Sequence, residues 1–201
     1  MRLLLIRHGE TADNAARVIG SRPPGPPLSD TGLRQARALA GLLASEGVVG
    51  VHSSRALRAV QTAEAAATEL GLPHVELDDL HEIDAGDLEG RPYGEALADY
   101  AGTMQRWWTD PEARIPGGES GTEFMTRYSR AVARLEASAA GTIAVVSHEA
   151  AICVWASSTA TNLDAAFSRT HGVRNTGVVT LEGSTAAGWT ATTWDGLTLT
   201  G

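Results

Sequence analysis

The apolar positions fall into two patterns that take turns along the chain: short unbroken runs, and residues spaced three or four apart. Leu3-Leu4-Leu5-Ile6 is a run of the first kind, read as a short buried strand that Gly9 breaks into a loop. Asp30 is placed to cap a helix reaching roughly Glu46, with Leu33, Ala36, Leu39, Ala40 and Leu43 along one face. Residues 48–52 predict a second strand, Ser53-Ser54 open a helix to about Leu70, and residues 73–77 predict a third strand. Residues 83–118 are irregular and Gly-rich at both ends, with a helical piece over 95–108. Ser120-Gly121-Thr122-Glu123 has the form of a capping box, and Phe124, Tyr128, Ala131, Val132 and Leu135 follow at helical spacing. Residues 142–147 predict a strongly apolar strand and 149–159 a helix, while 177–182 and 189–195 predict two closing strands. The alternation predicts an α/β three-layer sandwich, helices on both faces of a mostly parallel central sheet. With no repeat or dividing linker, residues 1–201 are read as a single domain, and the Pro-rich stretch 22–27 as a surface loop.

Composition narrows the classes. Hydrophobic content of 43% and charged content of 20% are those of a soluble globular protein rather than a disordered one. A formal charge of −8 argues against non-specific binding to nucleic acid or anionic membrane, though a local group of arginines and histidines can still hold a small anion. No stretch is long and apolar enough for a signal peptide or membrane span, so a cytoplasmic enzyme is expected. The one cysteine, Cys153, precludes an internal disulfide and lies in Ala151-Ile152-Cys153-Val154-Trp155, the setting of a buried structural thiol. Trp107-Trp108 reads as packing.

The candidate chemistry sits at element ends. Arg7-His8 closes the first apolar run, and it is either the polar end of a strand or a nucleophile beside an anion-binding guanidinium. Arg58 lies in the first turns of a helix, Glu82 just past the third strand, and His148 at the end of the apolar strand before it. Singly, each has an ordinary structural reading. Together they place two histidines, two arginines and one carboxylate at the C-terminal edges of one sheet, where α/β proteins hold ligands. His148-Glu149-Ala150-Ala151 begins like a zinc-protease helix, but Ile152 stands where the second histidine is needed, so no metal site is expected. His52, His74, His81 and His171 read as structural or surface residues.

In these residues the chain resembles the histidine phosphatase superfamily, also called phosphoglycerate mutase-like. The resemblance is carried by Arg7-His8-Gly9-Glu10-Thr11 with Asn14, Pro27-Leu28-Ser29 through Gly32 and Gln35-Ala36, and Ser53-Ser54 with Arg58 and Gln61-Thr62-Ala63. Leu80 and Glu82 with Gly86 and Glu89-Gly90, then Gly117-Gly118-Glu119-Ser120, Val146-Ser147-His148 and Asn175 complete it. It implies the family's sandwich fold and attack on phosphorus by His8 through Nε2, with Nδ1 held by a backbone carbonyl. Arg7, Arg58 and His148 would hold the phosphoryl oxygens, with Thr11, Asn14 and Ser21 also among the phosphate-binding residues, and Glu82 would serve as acid and then base. The partner implied is a small phosphorylated substrate. No metal or other cofactor is called for, and a homodimer is left open.

The chain departs from the family's pattern twice. Glu149 replaces the usual glycine after the second histidine, and is expected to point away from the phosphate rather than meet a substrate hydroxyl or cation. The Pro-rich stretch replaces a polar turn that borders the pocket in relatives, which leaves substrate preference open. Only residues 83–116 separate Glu82 from Gly117, and the chain ends soon after its last strand, whereas cofactor-dependent mutases carry a longer insertion and tail. A phosphomonoester phosphatase is therefore favoured over a mutase, and over a catalytically silent phosphate-binding module. Arg17, Arg22, Arg91, Arg106 and Arg114 are read as solvated charges or as partners for a second acidic group.

Overall fold

A computed structural model describes residues 1–138 and 141–199, so positions 139–140 and 200–201 of the expected domain lie outside the described residues. In chain order the elements are β1 (Arg2–Arg7), α1 (Ala12–Ala16), α2 (Asp30–Leu43), β2 (Val48–Ser53), α3 (Leu57–Leu70), β3 (His74–Glu76), α4 (Tyr93–Arg106) and α5 (Gly121–Ser138). Then follow β4 (Thr142–Ser147), α6 (Glu149–Thr159), α7 (Ala165–Thr170), β5 (Val178–Ser184), β6 (Gly188–Trp194) and β7 (Leu197–Thr198).

The strands form one sheet in the order β3-β2-β4-β1-β5-β6-β7. β1 and β4 lie at its middle because their side chains are apolar on both faces, the pattern of a strand covered twice. Alternation divides them: Leu4, Ile6, Ala144 and Val146 pack with α2 and α3, while Leu3, Leu5, Ile143 and Val145 pack with α4, α5 and α6. Helices thus cover both faces, giving the three layers. β1 through β4 are mutually parallel, and only the C-terminal β5, β6 and β7 pair antiparallel, so five of the seven strands share a direction. α6 is apolar all round, and every residue from Ala151 to Ser157 is buried.

Several boundaries differ from expectation for local reasons. Ser29, not Asp30, caps α2 by accepting the Gly32 amide at 3.0 Å, and the helix stops at Leu43 in a 3-10 turn ending at Gly47, φ 63°. Leu33 falls off the buried face and is 36% exposed. Ser53-Ser54 do not open α3, which begins at Leu57, and β3 is only three residues long. The Ser120–Glu123 box forms, with Ser120 N–H donating to Glu123 Oε2 at 3.0 Å and Glu123 N–H to Ser120 Oγ at 3.3 Å. Trp107 packs in the core, stacked on Phe124 at 5.9 Å, with Trp108 half-buried. Cys153 is buried, and desolvation pushes its thiol far above the ordinary range. No described helix is long and apolar enough to cross a membrane.

Candidate active site

Parallel register brings three strand ends to one place. Arg7 pairs with Ser147 across β1 and β4, and Ser53 with Val146 across β2 and β4, so the residues that follow leave the sheet side by side. The ladder extends one step beyond the strands: His8 N–H donates to Ser147 O and Ser54 N–H to Val146 O, both at 3.0 Å. His8, Ser54 and His148 therefore share the C-terminal edge of the sheet.

His8 is 4% exposed, and its Nδ1 lies 2.7 Å from its neighbour's carbonyl, Gly9 O. A carbonyl only accepts, so Nδ1 carries the hydrogen and Nε2 keeps a lone pair. That lone pair accepts from Arg58 Nε at 3.1 Å. Burial first, and the Arg58 and Arg7 charges after it, hold the imidazole well below its ordinary pKa, so it is neutral at pH 7. Asn175 Nδ2 donates to the His8 carbonyl at 3.0 Å and fixes the backbone behind the ring.

Arg58 is 2% exposed on the first turn of α3 and ties the site together. Its Nη2 donates to Gly20 O at 3.1 Å and lies 3.1 Å from His148 Nδ1. The Pro-rich loop leans over it: Pro24 O accepts the Leu57 amide, and a Cβ at Gly25 (φ +63°) would collide with the guanidinium. That stretch is therefore a wall of the site rather than a free surface loop. His148 has no exposure at all and does not line the cleft, since Ser54 Oγ holds its Nε2 at 2.7 Å while Arg58 faces its Nδ1. Burial, then Arg58, keeps it neutral too.

Glu82 is held by the start of α6. Oε1 accepts the Ala151 amide at 2.8 Å and the Ile83 amide at 2.9 Å, while Oε2 accepts the Ala150 amide at 3.1 Å. These donors favour the carboxylate, yet desolvation outweighs them and the pKa is raised. The loop bearing Glu82 is fixed by Arg127, a guanidinium on the otherwise apolar face of α5. It donates to the carbonyls of Asp79, His81 and Glu82 at 2.8–2.9 Å and pairs with Glu119 at 2.6 Å. Glu119 in turn accepts the Asp84 amide.

A narrow cleft of about 30 Å³ brings Arg7, His8, Thr11, Asn14, Arg58 and Glu82 together, with Asp13, Tyr93 and Glu149 also on its walls. Thr11 and Asn14 cap α1 for one another, and Asn14 Oδ1 also accepts from Asn175. Ser21 is not brought in: its hydroxyl donates to Glu89 at 2.5 Å and accepts the Ala85 amide at 3.1 Å, outside this cleft. Glu149 does not point away. Its Oε2 lies 2.6 Å from Arg7 Nη1, which also donates to Val173 O at 2.7 Å, because the start of α6 faces the end of β1. Arg22, Arg91 and Arg114 pair outward with Asp84, Glu95 and Glu123, and neither Arg17 nor Arg106 lines the cleft. Of the other histidines, none lines it. No group of three or more metal-ligating side chains occurs among the described residues.

Reading by element ends does not anticipate Ser54, Tyr93, Asp13 or Arg127 in the site. A charged residue at Arg127, amid the apolar spacing of Phe124, Tyr128 and Ala131, is the one signal that was there to find.

The model of the histidine phosphatase superfamily, branch 1, matches residues 3–195. A PE-PGRS family protein of Mycobacterium tuberculosis, PE_PGRS11, is 32% identical over 96% of this chain, which spans only 36% of that protein. Mycobacterial glucosyl-3-phosphoglycerate phosphatase, solved with VO3, superposes with a TM-score of 0.83 at 27% identity, over 97% of this chain and 98% of that one. The α-ribazole phosphatase of Shigella flexneri gives a TM-score of 0.77 at 27% identity, over 100% and 98%.

Proposed function

The chain belongs to the histidine phosphatase superfamily, branch 1, and on that premise we propose that it hydrolyses a small phosphomonoester through a phosphohistidine at His8. The observation that carries the reading is the state of His8: Nδ1–H on the Gly9 carbonyl, and an unprotonated Nε2 directed at the guanidinium that would hold the phosphate.

The substrate phosphoryl group would settle between Arg7, Arg58 and the Asn14 amide, replacing the Arg58 bond to Nε2. The Nε2 lone pair then forms a bond to phosphorus as the bond to the ester oxygen breaks. Glu82, whose affinity for a proton is raised by burial and would be raised further by the incoming anion, gives its proton to the departing alkoxide. The Glu82 carboxylate next takes a proton from water, whose oxygen bonds to phosphorus as the P–N bond breaks. Inorganic phosphate leaves and the neutral imidazole is restored. Charge on the transferring group is balanced by the two guanidiniums. His148 supports Arg58 from behind, its Nδ1 accepting from Arg58 Nη2 and its Nε2–H donating to Ser54 Oγ.

Release of nitrophenolate from p-nitrophenyl phosphate by wild type and His8→Ala tests the reading. Turnover in wild type, lowered by a factor of at least about 10³ in the variant, is expected, and it should survive a chelator because Arg7 and Arg58 supply the positive charge. Equal rates in the two proteins, or loss of activity on chelation, would overturn it.

A further inference from the structure

Glu149 and Asp13 are the two carboxylates of the cleft that the phosphoryl-transfer scheme leaves without a task, and of the two only Glu149 is paired with a phosphate-binding guanidinium. It is also an unexpected one, a carboxylate beside the site for an anion. Its position is well defined. It is the first residue of α6, its Oε2 is 2.6 Å from Arg7 Nη1, and Val173 O accepts from the same nitrogen. On the other side it rests against Gly172, where an added Cβ would come within 2.8 Å of Oε1, so the loop leaves room for the carboxylate and little more. Its side chain remains 36% exposed, open to whatever fills the cleft.

The charges around it give this placement a consequence. The only guanidiniums on the cleft wall, among the described residues, are Arg7 and Arg58, and both would be occupied by the phosphoryl group. Within this cleft, what remains for the alcohol portion is Asp13 and Glu149 with Tyr93, Val18 and Pro26: two carboxylates, a phenol and two apolar side chains. Arg22, the nearby cation, does not line this cleft; it faces a neighbouring cavity on the other side of Glu82 and is paired there with Asp84 at 3.3 Å. In a narrow, partly dehydrated cleft a like charge close to Glu149 is repelled more strongly than in water, whereas a hydroxyl or ammonium can donate to it.

Building on the phosphomonoesterase reading, we infer that Glu149 is a specificity-determining residue that selects phosphomonoesters whose alcohol portion is neutral or cationic and rejects those with a second anionic group. The carboxylate accepts a hydrogen bond from a hydroxyl or ammonium of the leaving alcohol while Arg7 Nη1 holds it in place.

Glycerol 3-phosphate and 3-phosphoglycerate test this as a matched pair, because they differ in a terminal hydroxymethyl against a carboxylate. Their dissociation constants are measured by calorimetry on the full chain carrying His8→Ala, with and without Glu149→Gln, and phosphate release is followed in parallel on the His8-containing proteins. Wild-type Glu149 should bind glycerol 3-phosphate at least about tenfold more tightly, and Glu149→Gln should shrink that ratio by about tenfold. A role confined to orienting Arg7 would move both constants together and leave the ratio unchanged. Should the Gln variant not fold, Glu149→Ser serves, and the ratio with Glu149 in place is itself decisive. Tighter binding of 3-phosphoglycerate, or a ratio within twofold of unchanged in the variant, would overturn the inference. Absence of phosphate release alongside the expected ratio would overturn the hydrolase reading and leave the inference standing. The expected release with an unmoved ratio would do the reverse.

Discussion

His8 and His148 are both neutral, both buried and both in contact with Arg58, yet they are prepared for different work. His8 has its hydrogen fixed on Nδ1 by Gly9 O and presents Nε2 to the cleft, while His148 has both nitrogens engaged and lies behind the wall. Nucleophile and support are separated by one hydrogen-bond partner each. Glu82 shows the same economy, with a carboxylate on three amides whose affinity for protons is restored by desolvation. Glu82→Gln should therefore slow alkyl phosphates, whose alkoxide needs the proton, by at least about tenfold more than p-nitrophenyl phosphate. Equal losses for both esters in steady-state assays would assign the proton to another group. The same logic predicts that activity on alkyl phosphates falls on the alkaline side as Glu82 ionises, and that this limb disappears in the Gln variant.

At the scale of elements, what was legible in the sequence was what local pattern controls. β1 and β4 are apolar on both faces and could be placed to the residue or nearly so, as could α6 and the Ser120 capping box. The misses have long-range causes. Ser54 looks like a helix opener, but its hydroxyl is taken by His148, 94 positions away, and α3 waits until Leu57. α1 is five residues long, too short for a period, and exists because Thr11 and Asn14 cap each other. Glu149 could be located by position but not aimed, because its partner Arg7 belongs to another element. Arg127 is the clearest case of an element defined from elsewhere, since α5 fixes the loop that carries Glu82. Arg127→Met leaves Glu119 and three carbonyls without their donor and should cost about 3 kcal/mol or more in urea unfolding. Arg130→Met, which removes an exposed guanidinium on the same helix, should leave the midpoint close to its original value. A matching loss in the two variants would contradict the bracing role.

For the molecule as a whole, burying neutral histidines at the active edge of the sheet makes stability depend on acidity. His8 and His148 have native pKa values held well below 6.5, so below that pH the unfolded chain binds protons that the folded one refuses. Stability should accordingly fall as pH drops from about 6.5 toward the depressed native values, each histidine adding about 1.4 kcal/mol per pH unit to the slope. Glu82, raised rather than lowered, works in the opposite sense and offsets part of the fall. Urea titrations from pH 7.5 to 5 on wild type and His148→Gln should show the variant's slope shallower by about one histidine's share. An unchanged slope would mean that His148 is not buried neutral.

The architecture carries Arg7-His8, Arg58 and Glu82 on three separate segments, which parallel register and the start of α6 bring together. On the proposed route, His8 Nε2 forms a covalent bond to phosphorus. The most direct measurement is mass mapping of the enzyme quenched in base during turnover, since a phosphohistidine withstands alkali. One added phosphoryl group is expected on the peptide containing His8, absent from His8→Ala. A phosphoryl group on the peptide containing His148, or turnover with none on His8, would contradict it.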